Sequence, residues 1–326
     1  MTYYQDYLRY MQNAYLLEQA KCGHTSRVST GDYLQDNVDV YDVTDRRYAG
    51  INDVLNDLWY ADDPVGNPKI RLRDTWMAQG RVPYIASYKA QLIQYRSLHT
   101  RWSMREWLYV FLVHRITGSA ASYIDDHGYR NTIIPELATF DTVEAMTKFI
   151  GEYTSTMFTS IGCQIPGFPK LPEGCVWKKQ SLYYLCDLAP QLIDDLIVFL
   201  NRRCILDIRD VLSFCAQWNK DRGFNAFWFQ YSLFACDISD YYPKKVDPNS
   251  HVHYGTNSVK TLKLFGPKKQ WDSIVRQIQM DLPFDVLPKG IENSLCDYWK
   301  YHKNWIPKGY SLDASVDRTK LVRKPI

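Results

Sequence analysis

Hydrophobic positions recur every three to four residues along much of this chain, the spacing that gives a helix one buried face. Residues 2–22 carry tyrosines and leucines in this way and predict a helix that stops at the turn-rich stretch from Gly23 to Gly31. Val54, Leu55, Leu58 and Trp59 form a second stripe closed by Asp62-Asp63-Pro64, and Ile85, Tyr88, Leu92 and Tyr95 form a third after Pro83. Asp141 stands as an N-cap before Val143, Met146, Phe149 and Ile150, with Glu144 three residues on. Pro190 suits the first turn of an amphipathic helix with Leu192, Ile193, Leu196, Ile197 and Leu200 inward and Asp194, Asp195 and Asn201 outward. Further helices are expected at about 207–219, 223–238, 256–265 and 268–281.

Two stretches break this rhythm. Trp107-Leu-Tyr-Val-Phe-Leu-Val113 has no polar face, so the element at 104–114 is expected to cross the interior and deliver His114 and Arg115 to its end. Ile161 to Pro172 contains three prolines and two glycines and cannot be helical. Val246-Asp-Pro-Asn-Ser250 reads as a turn cluster. The tail from Ser311, with Arg318, Lys320, Arg323 and Lys324, reads as a solvated arm, with contact to a phosphate backbone as the alternative. No strand series and no fixed-period repeat appears. The expected fold is therefore mainly α, a multi-helix globular fold with long ordered loops, for which a DNA-glycosylase-like arrangement is one candidate. The expected division is an N-terminal helical region at 1–80, a catalytic helical domain at 81–305 and a basic tail at 306–326.

A chain of 326 residues can bury a substantial core as one domain or two. Its net charge of +3 is too weak to establish nucleic-acid binding, but it is compatible with a local positive groove. Aromatic residues make up 15% of the chain, and such rings both fill cores and stack on bases. The eight cysteines show neither CxxC spacing nor a disulfide framework, so reduced thiols are expected. Cys22-Gly-His24 and His251-Val-His253 offer metal-ligand types without companions at zinc-site spacing. With no signal-peptide core and no run of 18 apolar residues, the protein is expected to be soluble and intracellular.

Candidate chemistry concentrates in His114 to Ala138, directly behind the apolar element. An arginine at the end of a buried segment needs an anion or another partner, because a desolvated, unpaired charge costs several kcal/mol or more, on the order set by burial. Phosphate is one such partner, and Gly118-Ser-Ala-Ala-Ser122 supplies small residues and hydroxyls for close approach. The alternative pairs Arg115 with Asp125 or Asp126 and gives His127 a turn-capping role. Neither GxxxxGK[ST] nor a GxGxxG after a strand is present, which argues against a kinase.

Four segments resemble the phage amino acid:DNA transferases, relatives of the α-glutamyl/putrescinyl thymine pyrophosphorylases of thymine hypermodification. They are His114-Arg-Ile-Thr-Gly-Ser-Ala-Ala-Ser122, Asp126-His-Gly-Tyr-Arg-Asn-Thr132, Ser160 to Pro169, and Asp237 to Tyr254 with its YYP and VDPNS elements. The match spans roughly residues 100–265, with Ala120 where glycine is expected. The resemblance implies a transferase that replaces the pyrophosphate of 5-(pyrophosphoryloxymethyl)uracil in DNA with the amine of an amino acid or polyamine. It also implies action in the cytoplasm of an infected bacterial host, alongside other modification-pathway proteins.

That chemistry needs cations for the leaving pyrophosphate, a base for the amine and extrusion of the target nucleotide. The resemblance assigns Arg115 and Arg130 to pyrophosphate, with Ser119 and Ser122 as hydroxyl donors and Arg222 as a third cation. His127 is the expected general base, oriented by Asp126. Asn131 reads the uracil edge, with Gln164 and Asn225 as weaker candidates, and His114 stands next in line as base. Magnesium could accompany pyrophosphate, yet no carboxylate cluster in the sequence demands it, and no other cofactor is implied. Each residue has a plainer reading: His114 as a core histidine, Asn131 and Asp126 as caps, Arg222 as a solvated surface group, and Tyr241-Tyr-Pro243 as packing. Against the transferase stand a noncatalytic DNA-binding or scaffold subunit and a glycosylase-like base-flipping enzyme, the latter without a helix-hairpin-helix GxG turn.

Overall fold

The computed structural model describes residues 2–21, 29–37, 102–117, 122–124, 130–132, 137, 140–152, 171–177, 180–201, 204–304 and 315–321. The stripes expected at 54–59 and 85–95 lie outside them, as does most of the proline-rich block. The described chain is mainly helical, as its periodicity implies, and no described helix is long and apolar enough to cross a membrane.

Contacts group the chain into two units, one made of Met1–Ala49 with His251–Ile326 and the other of Gly50–Ser250. These limits do not coincide with the boundaries expected at 80/81 and 305/306, because the two ends of the chain share one core. In that terminal unit, α1 (Tyr3–Lys21) and the short α2 (Tyr33–Asn37) pack with helices from the far end of the sequence. Tyr7, Tyr10, Leu262, Ile291, Leu295 and Tyr298 are all buried in the shared cluster. Two hydrogen bonds join buried hydroxyls across it: Tyr298 donates to Asp6 at 2.7 Å, and the Tyr7 and Ser294 hydroxyls meet at 2.5 Å.

The central unit is built on α3 (Met104–Thr117), α4 (Val143–Glu152), α5 (Gln180–Tyr183), α6 (Ala189–Leu200), α7 (Ile208–Lys220) and α8 (Trp228–Tyr241). Trp107 through Val113 are all buried in α3, which packs against α6 and α8 as an all-apolar helix must. Its exposed start is tied by Arg105, which donates to Asp194 and Glu144, each at 2.6 Å. The bonds from Arg105 hold the Glu144 carboxyl below its ordinary range.

Two short strand pairs complete the unit. β1 (Ser122–Ile124) runs antiparallel to β2 (Arg130–Thr132), while β3 (Leu206–Asp207) lies parallel to β4 (Val246–Asp247) within the expected turn cluster. The terminal unit continues with α9 (Thr256–Phe265), a 3-10 turn at Lys268–Gln270, α10 (Trp271–Asp281) and α11 (Pro288–His302).

Several local expectations shift. The cap of α4 is Thr142 rather than Asp141: the Thr142 hydroxyl accepts from Ala145 N at 3.2 Å, and Glu144 turns to Arg105. Pro190 stands in the first turn of α6, as expected, but the chain is already helical before it. Helical turns begin at Gln180 and pass through a π segment, Tyr184–Leu188, in which Ala189 N reaches back to Tyr184 O. Widening the turn accommodates a proline that has no N–H to give to the fourth carbonyl before it.

The helix expected from 223 starts at Trp228, because Gly223 and Phe227 both take left-handed φ, 78° and 47°. The tail is not simply a solvated arm, since Leu321 is buried and Asp317 N donates to the Tyr33 hydroxyl at 2.8 Å. Helix α11 was not anticipated at all. Its residues from Pro288 to Tyr298 are buried on every side, polar ones included, so it shows no single apolar stripe.

Candidate functional site

Arg115 comes from the last turn of α3, as the apolar run before it implied, and its guanidinium meets a carboxylate that was not anticipated, while Asp125 and Asp126 lie outside the described residues. Its Nε and Nη2 donate to the two carboxylate oxygens of Asp237 on α8 at 2.5 and 2.6 Å. Arginine is 7% exposed and aspartate 1%. The planar fork matches the carboxylate at both positions, which makes this the strong, directional form of ion pair. The guanidinium expected to meet pyrophosphate is therefore buried and committed to fastening α3 onto α8. Around it, Trp107 and Phe111 pack on Tyr241 at 4.9 and 5.4 Å between ring centroids. Tyr241 thus closes α8 by packing, the plainer of its two expected roles, and burial pushes its hydroxyl pKa up.

The hairpin next to α3 carries the other central candidates. Its register pairs Ser122 with Thr132, Tyr123 with Asn131 and Ile124 with Arg130. Ser122, Arg130 and Asn131 thus belong to one two-stranded element, and the chain from 125 to 129, with Asp126 and His127, connects its strands. His114, Ser122, Arg130 and Asn131 are described in backbone only, and Ser119, Asp126, His127 and Gln164 lie outside the described residues.

Arg222 and Asn225 occupy the connection between α7 and α8. Arg222 lies flat on Trp218, 3.5 Å from the ring centroid, and donates to the Trp218 carbonyl at 3.3 Å. It is therefore a cation at the C-terminal end of α7, where the helix dipole favours one, rather than the head of the next helix. Asp195 stands 3.8 Å away, and 37% of the Arg222 side chain remains exposed. Asn225 is exposed, and its main-chain carbonyl accepts from Asn219 Nδ2 at 3.0 Å.

Behind this loop sits a buried polar cluster that no spacing in the sequence announces. Tyr184 of the π segment bonds to Tyr231 of α8 through their hydroxyls, and Tyr231 donates to Asn219 Oδ1 at 2.9 Å. Burial raises both phenol pKa values above their ordinary range. Phe227, left-handed and 2% exposed, wedges its ring 5.6 Å from Tyr184 and 5.9 Å from Tyr231. A bulky residue with positive φ persists only where its surroundings over-determine it, and such strain tends to gather near functional loops. Beside the loop, Phe199, Phe214 and Trp218, with Asp210, Gln217 and Asp221, line an open cavity of about 550 Å³.

Among the described residues Arg115 and Arg222 serve separate contacts, and no group of three His, Cys, Asp or Glu is placed to hold a metal ion. His251 instead has Asp272 at 3.9 Å. Comparison with protein-family models, with curated proteins and with solved structures found no match to this chain.

Proposed function

We propose that this protein modifies a base in DNA, exchanging the pyrophosphate of 5-(pyrophosphoryloxymethyl)uracil for the amine of an amino acid or polyamine. The observation that carries the reading is the β1–β2 register, which makes Ser122, Arg130 and Asn131 parts of one small element whose connection contains Asp126 and His127. Hydroxyl, cation, amide and imidazole from a single hairpin are the groups this displacement calls for. In the proposed reaction the amine nitrogen bonds to the 5-methylene carbon as the C–O bond to pyrophosphate breaks. His127 takes the proton the amine loses, and Asp126 orients the imidazole. Arg130 stabilises the departing charge, with Arg222 as a second, exposed cation, while Asn131 addresses the uracil edge. Arg115 acts from behind, by fixing the helix that leads into the hairpin. Magnesium could accompany the pyrophosphate. The setting that fits this reading is phage DNA in the cytoplasm of a bacterial host.

The test is nucleoside mass spectrometry on DNA carrying the pyrophosphorylated base, incubated with the protein and a mixture of amino acids and polyamines. The reading requires pyrophosphate release that depends on a donor, together with the donor's mass on the nucleoside. Release without donor would point to a hydrolase, and no change with any donor would favour the scaffold reading. His127→Gln should lower the transfer rate about a hundredfold while leaving the fold intact, the usual scale for a lost general base. A variant with wild-type rate and pH profile removes His127 from the mechanism.

A further inference from the structure

The exposed face of α9 and the turn that follows it carry charge of one sign. From Thr256 to Trp271 the sequence holds four lysines, Lys260, Lys263, Lys268 and Lys269, and no carboxylate. All four are exposed, and none takes part in an ion pair. Two helices then bring their charge to one ring. Lys260 Nζ lies 5.6 Å from the centroid of Trp299 on α11, and Lys303 Nζ, from just beyond the end of α11, lies 4.9 Å from the same centroid. The indole attracts each ammonium group, but it does not neutralise either, and the two repel one another. Neighbouring Lys300 is different, since Asp297 pairs with it at 2.7 Å.

The arrangement is held rigidly. Ser258 and Thr261, on the opposite side of α9, are buried against α11, where they donate to Glu292 Oε1 at 2.6 Å and to Leu295 O at 2.7 Å. Gly255 N donates to the same Glu292 oxygen at 3.0 Å. The helix-dipole effect accounts for Lys303, at a C-terminal end, but not for Lys260 in the middle of another helix. A ligand that completes the surface must bring several negative charges and tolerate a flat aromatic ring between them. A lipid surface would call for apolar side chains to insert, and no large hydrophobic residue is exposed between Thr256 and Gln270.

We propose that the Lys260–Trp299–Lys303 surface, extended by Lys263, binds the sugar–phosphate backbone of a nucleic acid. The lysines contact phosphates, and the indole lies against the sugar or base between them. This surface belongs to the terminal unit and the hairpin residues to the central one, and the argument for it uses none of the hairpin's residues, so it stands whether or not the base chemistry proposed above is right.

The experiment compares the full-length protein with Lys260→Gln/Lys303→Gln, using a short fluorescein-labelled DNA duplex of unmodified bases and an RNA of equal length as probes. Affinity is measured from about 50 to 200 mM salt, and two lost phosphate contacts should flatten the slope of log affinity against log salt by about 1.8 on duplex DNA. A loss on either probe supports the proposal and identifies which nucleic acid is held. The control, Lys148→Gln/Lys244→Gln, removes two exposed charges from the other unit and should leave the slope nearer to wild type. Equal losses in both variants, or no loss in the first, overturn the proposal, as does a wild-type protein that binds neither probe. A variant that loses binding only to phosphatidylserine vesicles also overturns it.

Discussion

The Arg115–Asp237 pair joins residues 122 positions apart in the chain, and both are buried. Removing one partner of such a pair leaves a desolvated charge without compensation, whereas replacing both with apolar groups of similar volume removes the charges together. Arg115→Ala should therefore lower unfolding free energy by about 3–5 kcal/mol, and Arg115→Met with Asp237→Leu should recover most of that loss. Urea denaturation of the two single variants and the double variant tests this. If each single change costs less than about 1 kcal/mol, the pair is not the fastening between α3 and α8 described above.

At the scale of elements, α8 begins under strain. Phe227 holds φ of 47°, a conformation glycine adopts freely, yet its ring is buried against Tyr184 and Tyr231. Phe227→Gly relieves strain of roughly 1 kcal/mol but empties a site whose loss costs about 3–5 kcal/mol, so packing wins. The expected outcome is a net loss of about 2–4 kcal/mol in thermal or urea unfolding, with Arg222 and Asn225 becoming more accessible to protease. A stabilised variant would mean that the backbone, rather than the ring, governs this loop. The same loop shows why element ends are hard to read from sequence. The pattern from 223 onward is helical in its spacing, but Gly223 and Phe227 turn the backbone the other way before α8 can start.

Across the whole molecule, burial keeps acidic hydroxyls and thiols protonated in both units. Tyr7 in the terminal unit and Tyr109, Tyr184 and Tyr231 in the central unit are raised above 10.0 by burial, and Cys186 is pushed from 9.0 up to about 12. These groups retain protons in the folded chain that the unfolded chain releases. Their contribution is thus complete below pH 9 and declines as pH rises through the ordinary thiol and phenol range toward the folded values. Urea midpoints should fall steadily from about pH 9 to 11, and phenolate absorbance at these tyrosines should appear together with unfolding. Phenolates that form with no loss of stability would show that these tyrosines reach solvent while folded.

Periodicity by itself determined the mainly α character, the burial of Trp107–Val113 and the extent of α9, because each depends on which face of a local element is apolar. The resemblance singled out Arg222 and Asn225 as candidates, although the turn that holds them was not legible in the sequence. Tertiary structure decided the rest. Asp237 as the partner of Arg115, the Tyr184–Tyr231–Asn219 cluster and the π segment before Pro190 involve residues with no recurring spacing between them. Helix α11 escaped notice because its residues from Pro288 to Tyr298 are buried on all sides, polar ones included, so no exposed face marks its period along that stretch. The joining of the first helix with the last follows the same logic. Local sequence states that Tyr7 and Tyr10 need an apolar surface, and only the folded chain supplies Tyr298 and Leu295 to provide it.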